Sequence, residues 1–267
     1  MTPRGEGMKI WTLMENTACD PRFRSEHGLS LYIETETHRI LFDAGQTGAF
    51  ADNAQILGID LAAVDLAVLS HGHYDHGGGF RYFLERNHRA PVYVSRFAFG
   101  GHYNAAGKYI GLDPALKETG RLIPVTGNLT LGEGITLRSW EDRSCWVPPE
   151  SQGLQRMEAG SLVPEDFRHE QYLLVEEKGK RVLLSGCSHR GIANILRWIP
   201  CDTLIGGFHL MKQEPEGETV RNTARLLEQG HTRYYTGHCT GAEQYAAMKK
   251  ILGDRLEYLS AGSFLEI

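Results

Sequence analysis

The sequence feature that most constrains this chain is a cluster of histidine and aspartate residues directly after an apolar run. Residues Ser70–Gly79 have the sequence S-H-G-H-Y-D-H-G-G-G, which places His71, His73, Asp75 and His76 within six positions. Imidazole nitrogens and carboxylate oxygens are ligands of zinc, iron and manganese. An H-x-H-x-D-H pattern arises by chance in roughly one such chain in a thousand. We therefore interpret the cluster as a metal site rather than as a surface histidine tract.

The spacing of the cluster indicates how its side chains can share metal ions. His71 and His73 are two positions apart, so in an extended backbone both rings point to the same side and can bind one ion. Asp75 and His76 are adjacent and continue into a turn, where they can face a second ion. Glycines at 72 and 77–79 permit the tight backbone that this arrangement needs. The cluster predicts one or two divalent ions per chain, zinc first, with iron or manganese as alternatives.

Apolar runs bounded by turn residues predict an α/β fold in a single domain spanning residues 1–267. Two strand-rich stretches, each followed by alternating strand and helix, indicate two sheets packed face to face with helices outside. The glycine- and proline-rich segments Phe97–Gly120 and Glu141–Asp166 are expected to be irregular. Strand character is also expected within residues 121–140. The other strands are predicted at Met8–Met14, Leu29–Glu34, His38–Phe42, Val64–Ser70, Pro91–Ser95, Gln171–Glu176, Arg181–Ser185, Thr203–Ile205, Thr232–Tyr235 and Leu256–Leu259. The helices are predicted at Ala49–Leu57, Phe80–Arg86, Ile192–Trp198, Thr219–Gln229 and Ala242–Leu252.

Composition excludes several classes of protein. The chain has 28 Lys and Arg against 33 Asp and Glu, a net charge of −5 without a basic run, so nucleic-acid binding is not expected. No apolar run approaches the roughly 18 residues of a membrane span. Residues Met1–Gly7 lack the apolar core of a secretory signal, and the five cysteines are scattered, so a cytoplasmic protein without disulfides is expected. The expected partner is a small-molecule substrate, and the oligomeric state is not indicated.

The H-x-H-x-D-H cluster after an apolar strand resembles the signature of the metallo-β-lactamase superfamily. The resemblance implies a four-layered αβ/βα sandwich with one or two metal ions at the sheet edges. The segment Phe42–Gly45, F-D-A-G, is similar to the early F-D-x-G strand end of that superfamily. By that similarity, Asp43 is expected to support the metal loop from behind.

A narrower resemblance extends along most of the chain. It points to a branch that includes metal-dependent hydrolases and the methanopterin-pathway synthase, which joins a dihydropterin to ribofuranosylaminobenzene phosphate. The segments that carry it occur in order and are Glu26–Ser30, Gly186–His189, Gly206–Leu210 and His238–Gly241.

Histidines outside the cluster are candidates for the remaining ligands. His189 and His238 each follow a predicted strand, where α/β sheets gather active-site groups. We expect His189 to bind the ion of His71 and His73, and His238 to match the last histidine ligand of the superfamily at the second ion. The alternatives are a helix-capping histidine and a plain loop histidine. His209 remains open as a ligand, a proton donor, a substrate contact or a structural residue.

The other histidines are expected to be less important. His27 and His102 could line the pocket but are more often surface residues in such contexts. We expect surface positions for His38, His88, His169 and His231.

Two further residues carry open alternatives. Much of the superfamily has a metal-bridging Asp where this chain has Cys187. A thiolate could bind metal there, but we favour a small buried filler. Arg190 could bind an anionic substrate, and a plain surface arginine is the alternative.

These observations predict a metal-dependent hydrolase for a small phosphate- or carboxylate-bearing molecule. Asp75 would orient the attacking water and accept its proton. A transferase like the methanopterin-pathway synthase is the main alternative, followed by a non-enzymatic metal-binding protein. An iron-dependent redox enzyme of the flavodi-iron type is disfavoured because the chain shows no flavodoxin-like segment.

Overall fold

The computed structural model of the protein describes residues 7–139, 145–149 and 151–267. Two segments with sequence predictions lie partly outside the described residues. They are residue 140 of the stretch 121–140, and residues 141–144 and 150 of the segment Glu141–Asp166. The strands are, in chain order, β1 (Lys9–Met14), β2 (Ser30–Glu34), β3 (Arg39–Phe42), β4 (Leu66–Val68), β5 (Val92–Ser95), β6 (His102–Tyr103), β7 (Leu122–Val125), β8 (Leu129–Gly132), β9 (Ile135–Ser139), β10 (Gln155–Glu158), β11 (Ser161–Pro164), β12 (Gln171–Glu177), β13 (Lys180–Leu184), β14 (Thr203–Ile205), β15 (Arg233–Thr236), β16 (Leu256–Tyr258) and β17 (Phe264–Glu266).

The described residues form six α-helices. They are α1 (Ala49–Ile56), α2 (Tyr74–Gly77), α3 (Phe80–Arg86), α4 (Ile192–Trp198), α5 (Glu218–Glu228) and α6 (Ala242–Leu252). Among the described residues, no helix has the length and apolar character needed to span a membrane.

The strands form two seven-stranded sheets and one three-stranded sheet. The first sheet has the order β17-β1-β2-β3-β4-β5-β7 and the second has the order β16-β15-β14-β13-β12-β9-β8. In each sheet one half is parallel, namely β3 to β7 in the first and β13 to β16 in the second. The three-stranded sheet has the order β11-β10-β6.

Three apolar cores hold the layers together. Apolar side chains from both large sheets, such as Ile33, Phe42, Leu173 and Leu184, pack together between them. The outer face of the first sheet packs against α1 and α3, and that of the second packs against α4, α5 and α6. Each fully buried aliphatic side chain contributes about 1.5–3 kcal/mol to this packing. The predicted α/β fold, a four-layered αβ/βα sandwich, is confirmed.

The parallel halves of both sheets direct their carboxyl ends to a common edge. The residues after β3 and β4 contact one another there, since Ser70 donates its backbone N–H and its hydroxyl to Asp43. The residues after β13 and β15 reach the same edge, because His189 and His238 approach the loop that follows β4. Open α/β sheets bind ligands at such an edge.

The expectation of irregular structure in Phe97–Gly120 and Glu141–Asp166 was partly wrong. The first segment contains β6 and the second contains the hairpin β10–β11, and these strands pair with each other. Ala159 and Gly160 connect the hairpin with φ of 47° and 84°, the left-handed pair that a tight two-residue turn requires. The high proline and glycine content of the segment predicted irregular structure, and the two-residue turn was therefore not predicted from the sequence.

Candidate metal centre

Three histidines from two loops converge after β4 and β13. The Nε2 atoms of His71 and His189 are 3.3 Å apart, and the His73 ring centroid lies 4.6 Å from that of His71 and 5.1 Å from that of His189. One ligand atom from each of the three lies within 4.8 Å of the others, and all three residues are buried. We call His71, His73 and His189 the first ligand group.

The reason given above for the convergence of His71 and His73 was wrong. The backbone is not extended there, because the His73 N–H donates to the His71 carbonyl at 3.0 Å in a tight turn around Gly72. A Cβ at Gly72 would lie 2.1 Å from the Ala98 carbonyl oxygen. Only glycine fits this turn, which directs both rings inward.

A second group forms beside the first. The expected turn at Asp75 and His76 is the short helix α2, preceded by His73. The His238 Nε2 atom lies 3.1 Å from His76 Nε2 and 3.3 Å from Asp75 Oδ2. His76 Nε2 is 3.8 Å from the same carboxylate oxygen. We call Asp75, His76 and His238 the second ligand group.

The spacing and the chemistry of both groups fit metal ions. Two nitrogens bound to zinc at about 2.0–2.1 Å in tetrahedral geometry are about 3.4 Å apart, close to the 3.1–3.3 Å between the paired Nε2 atoms. His73 Nε2 is buried without a hydrogen-bond partner, an arrangement that is costly unless a ligand satisfies it. The residues present therefore fit one or two divalent ions.

The protonation of the first group also suits metal binding. Burial lowers the pKa of His73 to about 3, and burial together with the neighbouring imidazoles holds the pKa values of His71 and His189 well below the usual range. These rings are neutral at pH 7, and a neutral imidazole is the form that binds metal.

Carboxylates and imidazoles of the second group shift one another's pKa values. Burial alone would lower the pKa of His76, but the charges of Asp43 and Asp75 raise it to about 9. Burial alone would raise the pKa of Asp75, but His76, His238 and His27 hold it well below the usual range. In the absence of a metal His76 is therefore protonated beside the ionised Asp75 at pH 7, and a bound cation would have to displace that proton.

Neighbouring side chains orient the ligands. Asp43, at a φ of 57°, accepts from His76 Nδ1 at 2.7 Å, and Ser70 Oγ lies 2.8 Å from His71 Nδ1. Asn16 Oδ1 lies 2.9 Å from His238 Nδ1. Such partners fix the ring orientation of metal-binding histidines. Asp43 lies where the resemblance placed it, and sequence reasoning did not identify Ser70 or Asn16.

Glu170 is another residue that sequence reasoning missed. It is buried, and its two carboxylate oxygens accept the backbone N–H groups of His189 and Arg190 at 2.7 and 3.0 Å. The Phe167 ring stacks on His189 with centroids 4.6 Å apart. The only signal in the sequence was a histidine–glutamate pair directly before the apolar strand β12.

His209 lies next to the first ligand group. Its ring centroid is 4.2 Å from that of His189, and both its ring nitrogens are buried without a hydrogen-bond partner. His189 and His209 border a cavity of about 260 Å³ whose wall includes Gln152 and Phe208, and none of the described residues that line it is Asp, Glu, Lys or Arg. The geometry leaves His209 able to bind a ligand or to transfer a proton in that cavity.

Several expected surface positions are buried. His169 is fully buried, and its Nδ1 accepts the Gly72 N–H at 2.9 Å, so the surface prediction was wrong. His102 is also buried, with Nδ1 2.8 Å from Glu165 Oε2. His27 is exposed, yet its Nε2 lies 3.3 Å from Asp75 Oδ2.

The structure contradicts the surface alternative for Arg190. It is buried rather than on the surface, and its Nε donates to the Phe167 carbonyl at 3.2 Å. Its guanidinium supports the loop that carries His189.

Cys187 is buried beside both ligand groups. Its Sγ lies 3.2 Å from His76 Nε2, and it forms with His71 and His76 a cluster whose ligand atoms are within 4.8 Å of one another. Burial holds the pKa of the Cys187 thiol well above its usual value, so a metal ion would have to displace the proton. This geometry favours the ligand interpretation over the filler interpretation favoured from sequence.

Replacing Cys187 by serine tests the two interpretations. We expect Cys187→Ser to lower the metal content, because a hydroxyl is a poorer ligand than a thiolate for zinc or iron. Elemental analysis after dialysis measures the change. Cys201→Ser is the control, since Cys201 is a free, half-buried cysteine before β14. Equal metal content in both variants would restore the filler interpretation.

Comparison of the chain with protein families and solved structures identifies its family. Residues 25–238 match the family model described as the metallo-beta-lactamase superfamily, which covers most of the chain, including both ligand groups. The chain belongs to the metallo-beta-lactamase superfamily. Members of this superfamily bind divalent metal ions, and most are enzymes.

Particular relatives cover nearly the whole chain. One is a 7,8-dihydropterin-6-methyl-4-(beta-D-ribofuranosyl)-aminobenzene-5'-phosphate synthase of Methanocaldococcus jannaschii, 32% identical over 98% of this chain and 97% of the relative. An uncharacterized protein of the same organism is 31% identical over 91% of this chain and 94% of its own length. A solved structure described as a metal-dependent hydrolase of the beta-lactamase superfamily is 27% identical, with a TM-score of 0.81 over 97% of this chain and 99% of that one.

Proposed function

We propose that this protein is a metal-dependent hydrolase for a small molecule that bears a phosphate or carboxylate group. The observation that carries the proposal is the position of Asp75, whose charged carboxylate lies 3.3 Å from His238 Nε2 in the second ligand group. The similar solved structure described as a metal-dependent hydrolase supports the same activity.

The two ligand groups would hold one or two divalent ions, with zinc the first candidate because its ligands are histidine and carboxylate. When bound, such an ion supplies Lewis acidity and lowers the pKa of water towards about 7. Asp75, ionised at neutral pH, orients the attacking water and takes its proton. His209, whose ring nitrogens have no hydrogen-bond partner among the described residues, would give a proton to the leaving group.

The cavity beside His189 and His209 would receive the part of the substrate next to the scissile bond. The residues described in its wall are carboxamides, histidines, hydroxyl-bearing and apolar side chains, with no Asp, Glu, Lys or Arg among them, and such a lining suits an uncharged moiety. We also propose a cytoplasmic location, which the five free cysteines support.

A transferase is the second candidate, because a relative that is 32% identical over nearly the whole chain is named as a synthase. In that case the same ligand groups would bind the leaving group instead of activating water. Fold and ligand set are common to both reactions, because function depends on the substrate pocket.

Turnover in oxygen-18 water separates the two candidates. A screen of phosphoesters, lactones and thioesters first identifies a substrate. We then expect mass spectrometry to find the label in the product at the cleaved bond, with a parallel reaction in ordinary water as the control. Unlabelled product, together with a strict requirement for a second organic acceptor, would instead establish a transferase. Bound metal without turnover of any compound would favour a metal-binding protein.

A further inference from the structure

Three consecutive polar residues lie at the start of β12, between the two loops that carry the first ligand group. His169, Glu170 and Gln171 are all fully buried, and Gln171 is the first residue of β12. We call these three residues the bridging tripeptide. Burying a polar group is costly unless it is hydrogen-bonded, so the hydrogen bonds of the tripeptide indicate what it holds.

The two outer residues of the bridging tripeptide hold the loop after β4. The Gly72 N–H donates to His169 Nδ1 at 2.9 Å. The Gln171 N–H donates to the Ser70 carbonyl at 2.8 Å, and Gln171 Nε2 donates to the Leu69 carbonyl at 2.7 Å. These bonds fix both the end of the strand and the tight turn from which two ligands of the first group project.

The middle residue holds the loop after β13. The carboxylate of Glu170 accepts the N–H groups of His189 and Arg190 at 2.7 and 3.0 Å, and the Tyr172 hydroxyl donates to it at 2.6 Å. Adjacent residues of one short segment therefore hold both ligand loops. The covalent chain between them limits how far the two loops can move apart.

A third metal site is the alternative role for His169. One ring nitrogen from each of His73, His102 and His169 lies within 4.8 Å of the others. The Nε2 atoms of all three rings are buried without a hydrogen-bond partner among the described residues. By spacing and burial alone, these rings resemble a further ligand group.

The hydrogen bonds of His169 argue against that alternative. A backbone N–H can only donate, so the Nδ1 atom that accepts from Gly72 carries a lone pair, and the proton of the neutral ring lies on Nε2. Glu165 Oε1, 3.8 Å from that Nε2, favours the same proton position. A protonated nitrogen does not bind a metal ion. His169 therefore supports the ligand loop instead of acting as a ligand.

We propose that the bridging tripeptide sets the geometry of the first ligand group and thereby its affinity for a divalent ion. The proposal rests on the proposed function only for the presence of that ion. His169 and Glu170 are positioning residues, because they bond to the backbone of the two loops. Zinc–nitrogen bonds have a narrow range of about 2.0–2.1 Å, so a small shift of one loop weakens the binding of an ion held by both.

Two substitutions of His169 test the proposal, with zinc affinity measured by competition with a chromophoric chelator. Leucine and asparagine have the same side-chain skeleton, but only asparagine has an acceptor attached to Cγ as Nδ1 is. We expect His169→Leu to weaken zinc binding about 10- to 100-fold, the usual effect of losing a group that supports a ligand. His169→Asn should bind zinc nearly as the unmodified protein does. His231→Leu is the matched control, because His231 is exposed.

Replacing Glu170 by glutamine tests the other loop. In either orientation the amide turns its NH₂ group towards a backbone N–H, that of His189 or that of Arg190, so Glu170→Gln should also bind zinc more weakly. The absorption spectrum of the cobalt-loaded variants, which reports the geometry of the ligands, should change together with the affinity. If His169→Leu does not fold, as judged by circular dichroism, Glu170→Gln decides the proposal.

Three results would overturn the proposal. Unchanged zinc affinity in His169→Leu and Glu170→Gln, even with a lower melting temperature, would show a merely structural role and leave the proposed function intact. Equal loss of affinity in His169→Leu and His169→Asn, or a third zinc ion per unmodified chain, would make His169 a ligand. An unmodified protein that binds no divalent ion would remove the proposed function together with this proposal.

Discussion

Replacing His73 by alanine is expected to abolish catalytic activity and to lower the metal content, while the protein stays folded. The His73 imidazole is neutral at pH 7, and its Nε2 atom has no protein partner in a buried site. Its removal therefore takes away a candidate metal ligand without breaking a hydrogen bond of that atom to any described residue. Loss of a group that merely supports a ligand costs 10- to 100-fold in metal affinity or activity, so loss of the ligand itself should exceed about 100-fold.

Three measurements check this expectation. Elemental analysis of the unmodified protein should give one to two zinc, iron or manganese ions per chain, and the variant should contain fewer. Circular dichroism should show native secondary structure in the variant, since the three apolar cores do not involve His73. His88→Ala is the control, because His88 is exposed. An unfolded His73→Ala protein would indicate a structural metal instead of a catalytic one.

Four of the six candidate ligands could be predicted from the sequence because they lie close together along the chain. His71, His73, Asp75 and His76 lie on one loop, and the donor types of such a pattern define its chemistry before any fold is known. The backbone that brings them together was harder to predict. It depends on the Ala98 carbonyl, which packs so closely against Gly72 that no side chain fits there.

The groups that orient the ligands could not be predicted, because they are distant in sequence. Asn16, directly beyond β1, is 222 positions from its partner His238, and no local pattern connects them. Glu170 and His169 illustrate a second difficulty. Charged and polar residues are usually exposed. In the structure both side chains are buried, and they accept backbone N–H groups of His189 and Gly72, in the two loops that carry the first ligand group.

The fold was predicted more completely than the cavities. Alternating strands and helices define the layers, because apolar periodicity reports directly which faces are buried. The hairpin β10–β11 has exposed or half-buried residues along most of its length, so its apolar pattern is weak. That hairpin carries Arg156 and Met157, which line a cavity of about 530 Å³ beside His102, so the part of the chain that the sequence described least well forms one wall of that cavity.

Replacing Asp75 by asparagine is expected to empty the second ligand group and to reduce turnover at least about 100-fold. The amide has nearly the same size as the carboxylate but carries no charge, and negative charge at this position attracts the cation and holds His76 and His238. The same substitution removes the proposed proton acceptor for water, and positioned general bases typically contribute about 10²–10⁴-fold to rates.

Metal content and rate together reveal which role of Asp75 dominates. If Asp75 mainly holds the second ion, added metal should restore part of the activity of Asp75→Asn. If it mainly accepts the proton, the variant should remain slow even at saturating metal. Asp52→Asn is the control, because Asp52 is exposed in a surface pair with Arg24 and such pairs contribute at most about 1 kcal/mol to stability. Full activity and full metal content in Asp75→Asn would contradict both roles. The attacking water would then have to be oriented by another polar group of the site, and His209, whose ring centroid lies 4.2 Å from that of His189, is a candidate.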